Sequence, residues 1–364
     1  MTKSPRAELR PLLESRLLGT ALRVLAILHV ALFMPDWIWK NRPNDRRDRD
    51  VKIYYETAGK VLRHASLYVP MPHYGPDQTP FEYLYLPPFA AFIAPLGHLT
   101  YLQFAWLWFL FQLGSFWLFA WILARLAGAR AGAMPVLVAG LVLAACPGSY
   151  RAVGLGQVDA TMWVLAGGAV LLLINGGGRN DLVGGALLGI AAVVKPYALF
   201  PLLATRGRRA WGAGFGIIIA ALVFGALACG TGAYGDWLSW VAPRVTQGTF
   251  NADNYSLSMA VLRLALVAGW RYTGGPIHGL PALWLKSATL LGPLGAVWVT
   301  RKLSPAWRCA LVTVAAAWCA PICWSDYVPL VLIVGALGWR EYVKGEVAEP
   351  VLDDALARNF NQPV

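Results

Sequence analysis

The sequence predicts an all-α polytopic membrane protein of about ten spans with interfacial helices on its outer face, and three observations carry that prediction. Hydrophobic residues fill 57% of the 364 positions and mean hydropathy is positive, well above the apolar share of ordinary soluble domains. The apolar residues gather in about ten runs near the length that spans a bilayer. Lys and Arg gather in the short connectors between those runs, as topology signals and headgroup contacts do. The net charge of +12 is therefore read against membrane lipids, and no nucleic-acid partner is predicted.

In chain order, the basic stretch Met1–Arg16 precedes an apolar run over 17–36 that is long enough to remain as the first span rather than be cleaved. Residues 37–101 follow as a long extracytoplasmic loop. Apolar residues recur at helical spacing from Val51 to Leu62, which predicts a short amphipathic helix starting near Asp50, with the carboxylate at or near its cap. Leu84–Leu99 opens on Pro87-Pro88 and carries Pro95 and His98, so it is read as an interfacial or re-entrant helix. Spans are predicted over 102–124, 133–147, 157–174, 183–194, 197–205, 211–229, 281–300, 309–323 and 327–340. The run Leu257–Trp270 is denied a crossing because Arg263 near its middle would cost a few kcal/mol or more at mid-bilayer. Residues 1–340 thus form one transmembrane domain and 341–364 a cytoplasmic tail.

The short basic connectors fix the orientation. Lys3, Arg6, Arg10 and Arg16 begin inside, and the same side then takes Arg125 with Arg130, Arg179, the group Arg206, Arg208 and Arg209, the group Arg301, Lys302 and Arg308, and Arg340 with Lys344. The basic stretch Lys40–Arg63 is discordant but lies in a loop longer than about 60 residues, which escapes the rule. The chain is expected in the plasma (inner) membrane with its polar interruptions outside: Asp50, Gly154–Gln157, Lys195-Pro196, 230–280 and Trp324–Asp326. All five cysteines lie in apolar runs or at the end of one, without metal-ligand spacing, and read as packed thiols. His29, in the first span, reads as a packing residue.

Several of these interruptions have two readings. Asp50 is a cap on a solvated charge run, or a positioned carboxylate able to act as a general base. Tyr83-Leu84-Tyr85-Leu86-Pro87-Pro88 anchors at the interface, or forms a rigid wall beside Asp50. Gly154-Leu155-Gly156-Gln157-Val158-Asp159 is a tight turn, or an anion-binding helix start; Gln157 and Asp159 entering an apolar helix face a cavity or a partner. Lys195-Pro196 is a snorkelling lysine at a loop apex, or a phosphate clamp beside a helix start. Asn251, Asp253, Asn254 and Ser256 cap the run that follows, or bind. Asp326, at the edge of apolar surroundings, is harder to read as a cap.

At these residues the chain resembles glycosyltransferase family 87, the polyprenyl-phosphate-mannose-dependent mannosyltransferases of the GT-C architecture. The resemblance runs through most of residues 17–340. Its parts occur in order: Asp50 with Tyr54, Ala58 and Leu67-Tyr68; Tyr85-Leu86-Pro87-Pro88; Gly156-Gln157; Gly184-Gly185 through Gly189 to Lys195-Pro196; Asn254 with Ser256-Leu257; Pro321 with Trp324 and Tyr327. Two positions depart from it. Asp159 stands where Asn is common, and Asp326 stands where many members have His.

The resemblance implies an inverting glycosyltransferase with a polyprenyl-phosphate sugar donor entering from the bilayer and a lipid or glycan acceptor entering from outside. Asp50 would be the base, and Lys195 with Arg49 or Arg151 would hold the donor phosphate. Tyr54, Tyr85, Gln157, Asp159, Asn254, Trp324 and Asp326 would line the substrates. No cofactor is implied, and no metal is required, since the only evident carboxylate run is Asp45, Asp48 and Asp50. The competing readings are a flippase or transporter of a lipid-linked saccharide, an enzyme of this architecture moving another sugar such as arabinofuranose, and a structural subunit.

Overall fold

In this computed structural model the described residues are 49–70, 76, 82–129, 132–205, 207–251 and 254–344, with isolated positions between 20 and 42. The span predicted over 17–36 is described only at isolated positions. His29, Asp45, Asp48, Arg130, Arg206, Asp253 and the tail beyond 344 lie outside the described residues. Every helix or strand element among those residues is helical, and the only β feature is an isolated bridge between Asn254 and Trp324.

The first described helix, α1 (Arg49–Leu62), carries Asp50 in its first turn and Lys60 in its last, both favourable to the helix dipole. It buries Val51, Tyr54, Ala58 and Val61 on one stripe. Next, α2 (Pro87–Ile93) starts on two prolines, which cost nothing where N–H groups have no helical partner, and runs into a 3₁₀ turn at Ala94–His98. Six of its seven residues are buried. It is therefore packed inside the protein, against α1 and a later helix.

The long helix α3 (Tyr101–Leu126) opens with a reciprocal cap between Thr100 and Gln103. Helices α4 (Ala133–Ala145) and α5 (Pro147–Gly154) meet at 89°, because Pro147 cannot continue the hydrogen-bond ladder of α4. The connector between the spans predicted over 133–147 and 157–174 is thus largely helical. Then come α6 (Asp159–Asn175), α7 (Gly178–Val194), a 3₁₀ turn at Pro196–Ala198, α8 (Leu199–Ala204) and α9 (Arg208–Cys229). A kinked segment combines α10 (Gly232–Asp236), a π turn at Trp237–Val241 and α11 (Ala242–Val245).

In α12 (Leu257–Val267), Ser256 accepts from the N–H of Met259, and Arg263 reaches back to donate to the carbonyls of Asn254 and Asn251. That charge serves the preceding loop. The chain closes with α13 (Gly279–Val299), α14 (Pro305–Cys319), a 3₁₀ turn at Ser325–Leu330 and α15 (Val331–Lys344).

Among the described residues three helices, α3, α9 and α13 with its short 3₁₀ extension to Lys302, are long and apolar enough to cross a membrane, and the bent pair α4–α5 makes a fourth candidate. Ten such helices were expected. The shortfall is one of length: α6, α7, α14 and α15 have 17, 17, 15 and 14 residues. At 1.5 Å per residue they rise about 21–26 Å, less than a hydrocarbon core of about 30 Å. Only 11% of the apolar windows of α9 and α13 is buried, and Ile219, Leu227, Leu280, Leu291 and Trp298 point outward. Such faces suit lipid rather than water, and the protein is an all-α membrane protein.

Helix α7 is the hub, packing against α6 on one side and α9 on the other. The approach of α9 is so close that a Cβ on Gly185 would sit 2.1 Å from the carbonyl oxygen of Ala210, and one on Gly189 2.5 Å from that of Gly214, the small-residue packing typical of membrane helices. One core cluster gathers Phe116, Phe119, Trp163 and Leu337; the other gathers Tyr54, Phe89, Trp108 and Met162. Between them, α6 and α7 direct their polar ends to one place. Gly185→Ala should force α7 and α9 apart and cost about 1–3 kcal/mol, read as a lower thermal midpoint in detergent; an unchanged midpoint would contradict so tight a crossing.

Candidate active site

At the polar ends of α6 and α7 lies a cavity of about 870 Å³. Its walls come from α1, the Tyr85 segment, α5, the 3₁₀ turns after Lys195 and Trp324, and the π turn. Most of the lining is apolar, with Leu84, Leu86, Val194, Phe200, Val245 and Ile322 among it. Against that background stand Asp50, Tyr54, Tyr85, Arg151, Gln157, Lys195, Trp324 and Tyr327.

Asp50 owes its place to Gly156. The Gly156 backbone has φ +69°, which favours glycine, and a Cβ there would meet Val51 Cγ2 at 2.0 Å. Trp108 Nε1 donates to the Gly156 carbonyl at 2.6 Å and fixes the turn. Helix α1 docks on this turn through Val51, and the next residue along the turn, Gln157, donates its Nε2 to Asp50 Oδ2 at 3.0 Å. Burial pushes the Asp50 carboxyl above its ordinary range, while the Gln157 bond and the Arg151 charge pull it back in part. Asp50 is thus a helix-borne carboxylate that faces a cavity and is held by one neutral donor.

Lys195, at the end of α7, donates to both carboxylate oxygens of Asp159 at 2.7 and 2.8 Å and to the Tyr327 hydroxyl at 2.8 Å. Burial draws its proton affinity down, but Asp159 reverses that, and the ammonium ends above the usual lysine range. Its three N–H groups match these three acceptors. The half-helix expected to aim its positive end at Lys195 is reduced to a 3₁₀ turn and the six-residue α8. Asp159 is fully buried behind the wall and does not line the cavity.

Arg151, on α5, supplies the second cation. Its Nε lies 3.5 Å from Asp326 Oδ1, its guanidinium stands 4.6 Å from the Trp324 ring centre, and its side chain keeps 21% exposure. Asp326 is fully buried, and Trp163 Nε1 holds its main-chain oxygen at 2.7 Å. Burial, with Asp159 nearby, pushes the Asp326 carboxyl well above the usual range, against the pull of Arg151 and Lys195. Expected at the substrate, it stands behind the wall instead.

Tyr54 and Tyr85 pair through their hydroxyls at 2.9 Å, and Tyr68 donates to the Tyr85 carbonyl at 2.7 Å. This wall is the rigid one that the aromatic-proline stretch suggested. Arg49 opens α1, and its side chain lies outside the described residues. Several lining residues went unselected as site residues at the sequence level, Tyr327 and Tyr197 among them. Tyr327 binds Lys195, and Tyr197 stacks edge-on to it with ring centres 5.4 Å apart. The signal for Tyr197 was its place two residues after Lys195. Among the described residues no group of three His, Cys, Asp or Glu side chains is placed to hold a metal ion.

Asn254 does not reach the cavity. Its Nδ2 donates to the carbonyls of Thr249 (2.9 Å) and Pro321 (3.0 Å), and its Oδ1 accepts from the N–H groups of Cys323 (2.8 Å) and Ser256 (3.2 Å). It is a strut joining two loops behind the Trp324 wall. Asn254→Ala would leave buried groups unsatisfied, at about 1–3 kcal/mol each, and should lower the thermal midpoint in detergent by several degrees; a midpoint like that of the unaltered protein would count against the strut.

The model of glycosyltransferase family 87 matches residues 83–337. The match takes in every wall of the cavity except α1 with Asp50. No curated protein and no solved structure matches the chain.

Proposed function

The chain belongs to glycosyltransferase family 87, and from that premise we propose that it moves mannose from a polyprenyl-phosphate donor to a lipid or glycan acceptor on the extracytoplasmic face of the plasma (inner) membrane, with inversion. The observation that carries this reading is a half-buried carboxylate, Asp50, and a guanidinium, Arg151, on the wall of one mostly apolar cavity. A lipid-linked phosphate needs an apolar approach and one cation at its end. An acceptor hydroxyl needs one base.

The acceptor O–H gives its proton to Asp50 as its oxygen bonds to the anomeric carbon. On the opposite side the bond between that carbon and the phosphate oxygen breaks, and its electron pair leaves with the polyprenyl phosphate. Arg151 offsets the charge that develops there, and Lys195 adds a more distant, partly neutralised one. Gln157 keeps the Asp50 carboxylate turned toward the acceptor. Tyr54, Tyr85 and Trp324 supply flat walls for the sugars. In the topology that accompanies this reading, about ten spans, several short, place the cavity outside and the residues after Arg340 in the cytoplasm.

Purified protein given synthetic polyprenyl-phosphate mannose and a membrane lipid extract should form mannosylated product. Asp50→Asn should lower transfer by about 100- to 10,000-fold with the thermal midpoint retained; near-normal turnover would remove Asp50 from the mechanism. The base works only when ionised, so a raised proton affinity places the acid limb of the pH–rate profile above the ordinary carboxylate range. Activity is then lost as pH falls through that limb. Gln157→Leu deletes the bond that favours the ionised form and should move the limb to higher pH; a shift to lower pH would contradict the assigned role.

A further inference from the structure

Two cations line the cavity, and their surroundings differ. Lys195 is bound tightly on three sides, with Asp159 taking two of its N–H groups at 2.7 and 2.8 Å and Tyr327 the third at 2.8 Å. Its side chain keeps only 10% exposure. A phosphate arriving at Lys195 would have to displace a charge-assisted bond to gain one. Seen from the cavity, the ammonium and the carboxylate behind it act as a dipole, whose field falls faster than that of a single charge.

We infer that Asp159 is a resident counter-ion that withholds Lys195 from the lipid phosphate. This rests on the donor reading above. Asp159 touches neither substrate and acts only through Lys195, as a positioning residue. Its consequence is that Lys195 contributes little to holding the departing polyprenyl phosphate.

The test is binding of farnesyl phosphate, with farnesol as the uncharged control, to the full chain in detergent. The wild type should bind farnesyl phosphate more tightly than farnesol. Asp159→Asn, which keeps the shape and releases the ammonium, should bind farnesyl phosphate about tenfold more tightly and farnesol no more tightly. Asp159→Asn/Lys195→Gln should return to wild-type affinity. A merely structural role for Asp159 could only weaken binding.

An unchanged or weaker farnesyl phosphate affinity in folded Asp159→Asn would overturn the inference while leaving the donor reading in place. So would a loss of about tenfold in the double variant, since Lys195 would then hold phosphate in the wild type. The double variant removes both charges and decides the matter even where Asp159→Asn alone does not fold. A wild type that binds farnesyl phosphate no better than farnesol would remove the donor reading, and this inference with it.

Discussion

The site depends on one buried ion pair. Lys195 and Asp159 lie 36 positions apart, at the end of α7 and the start of α6, and their contact with Tyr327 draws in the turn that precedes α15. Taking an ammonium and a carboxylate out of water is costly, and only close geometry with further hydrogen bonds repays it. That requirement ties three chain segments together at one point. The cavity walls that carry Gln157, Tyr197 and Trp324 are continuous with those segments, and Asp50 is set by Gln157. A weaker junction would leave the same residues present but not aligned.

Around this junction the charges are arranged in pairs across the wall. Lys195 faces the cavity with Asp159 behind it, and Arg151 faces it with Asp326 behind it. Of Asp50, Asp159 and Asp326 only Asp50 lines the cavity, where Glu82 is a second lining carboxylate. The arrangement suits a reaction in which one proton is taken up and one anion departs, because neither event creates an isolated charge in apolar surroundings. It also separates the tasks: helix α1 brings the base, and α5 with the turn after Trp324 brings the cation.

Much of this was legible in the sequence because polar residues are conspicuous in an apolar chain. Asp50, Gln157, Lys195 and Trp324 stood out as interruptions, and the structure brings all four to one cavity. The pairing of Lys195 with Asp159 was not legible, since nothing in spacing says which of several nearby groups a buried lysine will choose. Asn254 reads the same whether it binds a substrate or ties loops together, and only its four partners show that it does the latter. Asp326 was noticed for its apolar setting, which is what a residue behind the wall also has. The span count was less legible, because α6, α7, α14 and α15 fall short of a length rule set by the hydrocarbon core, which short helices meet by local thinning of the bilayer. The packing of α2 was not legible either, because prolines and aromatics suit an interface, a re-entrant helix or a packed corner alike.

The claim at the centre is that a lipid phosphate and an acceptor hydroxyl meet in this cavity with Asp50 between them. An experimental structure of the Asp50→Asn variant with a non-transferable polyprenyl-phosphonate sugar tests it most directly. The account predicts the phosphonate against Arg151 and the anomeric carbon facing residue 50 across a gap wide enough for one hydroxyl. A phosphonate bound outside these walls, or a sugar turned away from residue 50, would contradict it.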